Sequence, residues 1–444
     1  MKRLALPLCL GLAACATYAP APLDRANPLT TNDIATIARD AAAIDRPYLK
    51  PVAIDLSRPL DGNAVATIAV IANPDLKAAR IRAGIGDAQI FAARLLPDPT
   101  FSLGASKVLS GPDPFVDLVG ALGFDLATLR TRGVQLAQAT AQQRQVRLDL
   151  AWSEWQTAGQ ARLQAVRILA LQQAKALADA TRLGARSILA RTQSAAGRGD
   201  LAADQVQAAR MAAADAEDKA RVAERDLAAA RVELTRLLGL SPSTPLALTA
   251  EPQIDIMLNP DHLIATARTG RTDLQALEAG YAAQEAAVHK AILDQFPALA
   301  LTVAANRDTA NNLIVGPAVD FTLPLWNRNR GVIAVEKASR AALKAEYDAR
   351  LFQTRADIAA AVSGILTARH QRDALRHDLP AAMDYARTVR RAADRGDLSK
   401  ATAESAEQAL RDKQTQLTQS EQDIAEQMIA LELLTGTPRE AWPQ

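Results

Sequence analysis

The chain has 444 residues, 49% of them hydrophobic but only 4% aromatic, and 51 Lys plus Arg stand against 49 Asp plus Glu. So even a balance supplies no global field for nucleic acid or an acidic partner, and an apolar content dominated by Ala and Leu suits long helices packed side by side. Beyond the N-terminus no apolar run approaches the ~18 uncharged residues of a transmembrane helix, which leaves strands or a lipid as the routes into a membrane. The first element is a leader: Lys2 and Arg3 precede an apolar stretch from Leu4 to Leu12 that ends in small residues, and this predicts a signal peptide over 1–14. Cys9 would leave with it, so Cys15 would be alone in the mature chain, with no disulfide or thiolate metal site within one copy.

Leu12-Ala13-Ala14-Cys15 resembles the lipobox of bacterial lipoproteins. The resemblance implies lipidation at Cys15 and, because Ala16 is not Asp, sorting to the outer membrane. Residues 15–60 are then a lipidated N-terminal segment.

The rest of the chain is a duplication. Asp75-Leu76 recurs as Asp273-Leu274, Pro99 as Pro297 and Arg132-Gly133 as Arg330-Gly331, each pair 198 positions apart. Arg198-Gly199-Asp200-Leu201 recurs as Arg395-Gly396-Asp397-Leu398, 197 apart. Matches at nearly one offset across a whole unit define two repeats, 61–245 and 246–444.

Each repeat reads alike. A helix comes first, near 75–96 and again near 273–295. Two segments of period two follow, 101–109 and 115–126 in the first repeat, with the pair repeated from Leu299 and from Leu313, so β-hairpins are predicted over 100–127 and 297–325. One face collects Phe101, Leu103, Leu118, Leu122, Val303 and Val319, while Asp117, Asp125 and Asp320 alternate onto the other. Lys107 is the exception on the apolar side, close enough to the turn to snorkel. The period then changes. Pro-free, Ala- and Leu-rich sequence predicts a long helix from Gly133 to Ala195, a break at 197–200 and a second helix over 201–238. That helical hairpin spans 131–239, and its copy spans 329–436, where Pro380 should kink or interrupt the long helix.

Helix lengths suggest a geometry. A helix of about 62 residues runs roughly 93 Å, and a helix of about 38 with one of about 22 stacked on it comes close to that length. We expect the short helix of one repeat to complete the column of the other. Strands of 9–11 tilted residues span a bilayer, but four cannot close a barrel and an open edge in lipid leaves backbone groups unpaired. Three chains would bring twelve strands, with Asp117, Asp125 and Asp320 facing a water-filled lumen.

Asn73-Pro74-Asp75-Leu76, Leu96-Pro97-Asp98-Pro99 and the two Arg-Gly-Asp-Leu breaks resemble the TolC-like outer-membrane efflux family over essentially the whole mature chain. Leu323-Pro324-Leu325-Trp326-Asn327-Arg328-Asn329-Arg330-Gly331 resembles its heavy-metal branch. The resemblance implies a mainly α fold with a small β part. It also implies a homotrimer whose twelve-stranded outer-membrane barrel continues into a periplasmic α-helical barrel. The implied role is a passive exit duct, lipid-anchored in the outer membrane and reaching into the periplasm. A periplasmic adaptor and an inner-membrane efflux pump are the implied partners, and heavy-metal cations the implied cargo. Gly199, Asp200, Leu201, Gly396, Asp397 and Leu398 would form the periplasmic tips that meet the adaptor. The residue types themselves ask only for a left-handed glycine and for an Asp capping the next helix. Of the acidic residues such channels carry near the aperture, only Glu404 stands in the equivalent stretch.

His262, His289, His370 and His377 have no Cys or dense carboxylate partners, so neither metal ligation nor a cofactor is expected. No nucleophile–base set or phosphate loop is present to support an enzyme. The rival readings are a periplasmic coiled-coil adaptor, disfavoured by the duplication, and a structural lipoprotein without a channel.

Overall fold

The computed structural model describes residues 18–23, 33–107, 109–110, 116–250, 255–308 and 311–442; the leader and Cys15 lie outside them. In chain order come α1 (Ile34–Ala42), α2 (Gly62–Ala72), α3 (Pro74–Arg94), β1 (Thr100–Lys107), β2 (Val116–Asp125), α4 (Leu126–Gly197) and α5 (Ala203–Leu237). The second repeat gives α6 (Pro260–Gly270), α7 (Thr272–Leu293), β3 (Leu299–Arg307), β4 (Leu313–Phe321), α8 (Arg330–Arg395) and α9 (Lys400–Thr435). The short helices α2 and α6 also obey the 198-residue offset, starting at 62 and 260, although their sequences announce no repeat.

Local chemistry sets the ends. Asn73 accepts from the backbone N–H groups of Asp75 and Leu76 with Pro74 at the first helical position, which starts α3 where a capped, Pro-led helix should start. Asp125 ends β2 and at once caps α4, accepting from the N–H groups of Ala127 and Thr128. The long helix therefore begins at Leu126 rather than near Gly133, and at 72 residues it is about 108 Å long. In the second repeat Pro324 and two left-handed residues, Arg328 (φ 45) and Asn329 (φ 53), hold the helix off until Arg330. Pro380 does not interrupt α8, which runs unbroken over 66 residues. Only one hydrogen bond is forfeited there, and the surroundings hold the helix. Arg376–Glu421 and Lys413–Asp378 ion pairs tie it to α9 beside the proline, and Ala386, Val389 and Ala393 pack onto Ala403 and Ala406 beyond it.

The helices form one layer of four columns. Asn73 donates its amide to the carbonyl of Leu237 at 3.0 Å, which sets α3 end to end on α5. In the same way Arg271 reaches the carbonyl of Leu434 and sets α7 on α9. Each short helix thus stacks on the second hairpin helix of its own repeat, not of the other one as lengths alone suggested. Each join brings together residues 164 and 163 positions apart in the chain, the start of a repeat meeting the end of its own helical hairpin. Across the layer the order is α3/α5, α4, α7/α9, α8, so the second repeat's composite column does lie beside the first repeat's long helix. Contact there is intimate: a Cβ on Gly159 would come within 2.4 Å of a Leu433 methyl.

Around the waist of the layer the connecting segments make two small cores. Ile37, Val65, Ile68 and Ala72 pack on Ala161, Ile168, Leu234 and Leu238. Leu263, Ala267 and Trp442 pack on Ile358, Ile365 and Leu431. Charged side chains buried at the seams are paired. Glu154, 3% exposed, accepts from Arg46 and Arg80, beneath an edge-to-face contact of Tyr48 with Trp155. Glu432, 1% exposed, accepts from Arg162 of the first repeat and from Arg439.

The four strands form one antiparallel sheet in the order β1-β2-β3-β4. Pro317, which has no N–H to give, lies in the edge strand β4. The two edge strands, β1 and β4, connect to the two edges of the helical layer, α3/α5 and α8, through residues 95–99 and 322–329.

Candidate functional site

The register decides what each face of the sheet carries. Thr100 to Lys107 pairs with Gly123 to Val116, Asp125 pairs with Ala300, and Ala300 with Asp320. Phe101, Leu103, Leu118, Leu122, Phe124, Leu301, Val303, Val315, Val319 and Phe321 consequently share one face. The other face carries Ser102, Gly104, Asp117, Ala121, Ala304, Gly316 and Asp320. Both hairpins obey this division although the strands come from different repeats. The apolar face is ordered along its length. Phe101, Phe124 and Phe321 lie at the end that joins the helices, and Lys107 and Arg307 at the turn end. Among the described residues neither cation has an ion pair.

Asp117, Asp125 and Asp320 all fall on the small and polar face. Asp125 is engaged as the α4 cap and also accepts from the Thr128 hydroxyl. Asp320 accepts from the Thr302 hydroxyl at 3.2 Å. Asp117 lies opposite Ser106, and one of its carboxylate oxygens is shielded without a hydrogen-bond partner. Among the described residues no helix is long and apolar enough to cross a membrane.

At the far end of the layer the two hairpin tips have one geometry. Gly199 and Gly396 are left-handed, at φ +83 and +86. The N–H of Asp200 returns to the carbonyl of Ala195 at 3.0 Å, and that of Asp397 to Ala392 at 2.9 Å, the six-to-one closure of a glycine-terminated helix. The aspartates do not cap the following helices. Asp200 accepts from Arg198 and Asp397 from Arg395, two residues back in each case. The caps are Ala202, with no side-chain bond, and Ser399, whose hydroxyl accepts from the Thr402 N–H. The turn draws each Asp back over the helix it has just left, out of reach of the next one. Leu201 and Leu398 are partly exposed at 36% and 43%, an apolar point on each tip.

Glu404 lies near these tips but is not free. It is 8% exposed and accepts from Arg191 of the first hairpin at 2.8 Å, with Arg390 at 4.0 Å. This carboxylate clamps the second hairpin to the first. Residue spacing gave no signal for that pairing, because its partner is 213 residues away. His262, His289, His370 and His377 join no metal-ligand cluster, and among the described residues no group of three or more potential ligands occurs.

Residues 263–437 match the family model described as outer membrane efflux protein. The match falls on the second repeat, α6 to the end of α9. The fold of the whole chain agrees with that family. A membrane protein from Pseudomonas aeruginosa superposes with a TM-score of 0.72 at 16% identity, over 95% of this chain and 98% of that one. The Campylobacter jejuni CmeC outer membrane channel gives 0.72 at 15% identity over 84% and 85%, and CusC gives 0.69 at 16% over 88% and 97%. No curated protein matches the sequence. The resemblance to TolC-like efflux proteins read from the residues thus stands on both the family match and the fold.

Proposed function

We propose that the protein is the outer-membrane channel of a tripartite efflux system, a passive duct for cargo delivered by an inner-membrane pump through a periplasmic adaptor. The observation that carries this reading is the pair of matching open edges. A four-stranded sheet with one continuous apolar face cannot stand alone in lipid, because its edge groups would go unpaired at several kcal/mol each. Closing β4 of one copy on β1 of the next, and α8 on the α3/α5 column, satisfies sheet and helices with one operation. Three copies give a twelve-stranded barrel above a helical barrel. Exposed apolar side chains on those edges, Ile81 and Ile85 on α3 and Val335 and Phe352 on α8, support the same closure.

In this assembly the apolar face meets lipid and Asp117, Asp125 and Asp320 line the lumen. The tips Gly199-Asp200-Leu201 and Gly396-Asp397-Leu398 meet the adaptor, and Glu404 with its arginines lies at the narrowing. Cys15 adds a lipid anchor. Heavy-metal cations are the proposed cargo, on the motif from Leu323 to Gly331. Purified trimers should conduct ions across a planar bilayer, and Cys15→Ala should still insert and trimerise through its barrel. A bilayer left sealed under every condition would overturn the duct. Unchanged tolerance to cobalt, zinc, cadmium, copper and nickel after gene deletion would overturn the cargo.

A further inference from the structure

The two repeats differ where the sheet meets the helices. Asp125 passes β2 directly into α4, whereas residues 322–329 separate β4 from α8. That segment is held in place. The Asn329 amide donates to the carbonyl of Ala291 on α7 at 2.8 Å. The N–H of Leu325 returns to Leu323, and that of Arg330 to Asn327. Two consecutive non-glycine residues sit in the left-handed region, Arg328 at φ 45 and Asn329 at φ 53, a conformation kept only where the surroundings dictate it.

What this rigid segment holds out is apolar. Trp326 is 89% exposed, while Trp155 and Trp442 are buried at 6% and 7%. Leu323 and Leu325 beside it are exposed as well. They follow Phe321 at the aromatic end of the sheet's apolar face. The surroundings are basic. Arg328 and Arg330 are exposed with no side-chain partner among the described residues. Arg130 and Arg132 give their hydrogen bonds to neutral carbonyls, of Phe296, Pro297 and Arg94. Of the carboxylates at this level, Asp125 is taken up by its cap, Asp320 accepts from Thr302, Asp294 is paired with Lys290, and Asp98 remains. The α3–β1 edge of a second copy would bring Arg94 toward this segment, with Asp98 and the exposed Leu95 and Leu96 beside it. A phospholipid headgroup would bring phosphate.

We propose that residues 323–330 are an interfacial membrane anchor, in which Trp326 with Leu323 and Leu325 enters the inner leaflet at the headgroup boundary and Arg328 and Arg330 take lipid phosphates. Tryptophan prefers this depth because its ring is apolar and its N–H wet. The proposal rests on the reading of the sheet as a membrane wall. It adds a lipid contact that the first repeat lacks, repeated once per copy around the barrel.

Brominated phospholipids test it. The full chain is reconstituted in vesicles whose acyl chains carry bromine either just below the headgroup or near the bilayer centre. The difference in fluorescence between the unchanged protein and Trp326→Phe isolates this one ring. Shallow bromines should remove most of that difference emission and deep bromines little of it. Emission that resists both bromines and acrylamide would put the ring against a neighbouring copy, and emission quenched by acrylamide alone would put it in water; either overturns the anchor. A reporter on the apolar sheet face, Leu103→Trp in the Trp326→Phe background, separates the two levels of the argument. Quenching of that reporter by deep bromines with no quenching of Trp326 leaves the barrel standing and removes the anchor. Loss of both removes the barrel reading itself.

Discussion

Glu432 joins the two repeats through the most buried carboxylate of the waist, and its removal gives a measurable cost. Its side chain, 1% exposed, accepts from the Arg162 guanidinium on α4 at 2.5 Å and from Arg439 at 2.5 Å. The arginine side chains keep only 16% and 15% of their exposure. Glu432→Ala leaves two guanidinium groups facing each other across an emptied site. Breaking one side of a buried pair typically costs 3–5 kcal/mol. Because both arginines keep a little solvent, about 3 kcal/mol is the fitting figure, and the unfolding midpoint should fall on the order of 5 °C. Far-UV circular dichroism of the detergent-solubilised protein reads that shift directly. Adding Arg162→Ala to Glu432→Ala should recover part of the loss, since one of the two guanidinium groups left at the site goes with it. A midpoint for Glu432→Ala indistinguishable from the unchanged protein, with its control Glu233→Ala also unmoved, would refute the view that this cluster binds the repeats.

Burial pushes the Glu154 carboxyl up, but its hydrogen bonds from Arg46 and Arg80 outweigh burial and hold it below its ordinary value. A depressed carboxyl adds stability above its unfolded pKa and loses it as pH falls through the folded one, so thermal scans from pH 7 to about pH 3 should steepen below ~4.5. Glu154→Gln should flatten that acid limb while lowering stability at neutral pH, and an unchanged acid limb would count against the assignment. On the sheet, Val303→Arg puts a charge on the apolar face at mid-strand and should cost roughly 2–4 kcal/mol in the membrane, read as lost insertion yield. Ala304→Arg, one residue on and on the opposite face, should insert normally, and equal yields would show that the faces are misassigned. At the tips, Arg191→Ala leaves Glu404 only its 4.0 Å contact with Arg390 of its own hairpin and should raise single-channel conductance by loosening the second hairpin. Conductance unchanged beside wild type would make the clamp irrelevant to the aperture. Gly396→Ala forces a Cβ into the left-handed region and should cost on the order of 1 kcal/mol, seen as faster cleavage at the tip in limited proteolysis.

Much of the fold was legible in the residues because its signals are local and doubled. A period of two in Phe101 to Ser106 and again in Leu299 to Ala304, or glycine before Asp-Leu at both tips, reports backbone geometry directly, and the duplication supplied each observation twice. Helix ends were legible wherever a cap did the work, as at Asn73, and misread where one residue served two elements, as Asp125 does. The waist helices α2 and α6 escaped notice because they are short and are defined by burial against α4 and α8 rather than by their own pattern.

The sequence by itself determined the repeat, the two hairpins of each kind and the alternation that sorts Asp117, Asp125 and Asp320 onto one face, since chain chirality and strand period leave those no choice. Tertiary structure alone decided which helix stacks on which, that Glu404 is clamped by Arg191, that Glu154 and Glu432 are the buried joints, and that Trp326 is held out in the open. Each of these depends on partners far apart in the chain, and nothing in residue spacing encodes a contact until the columns bring its two halves within a few ångströms.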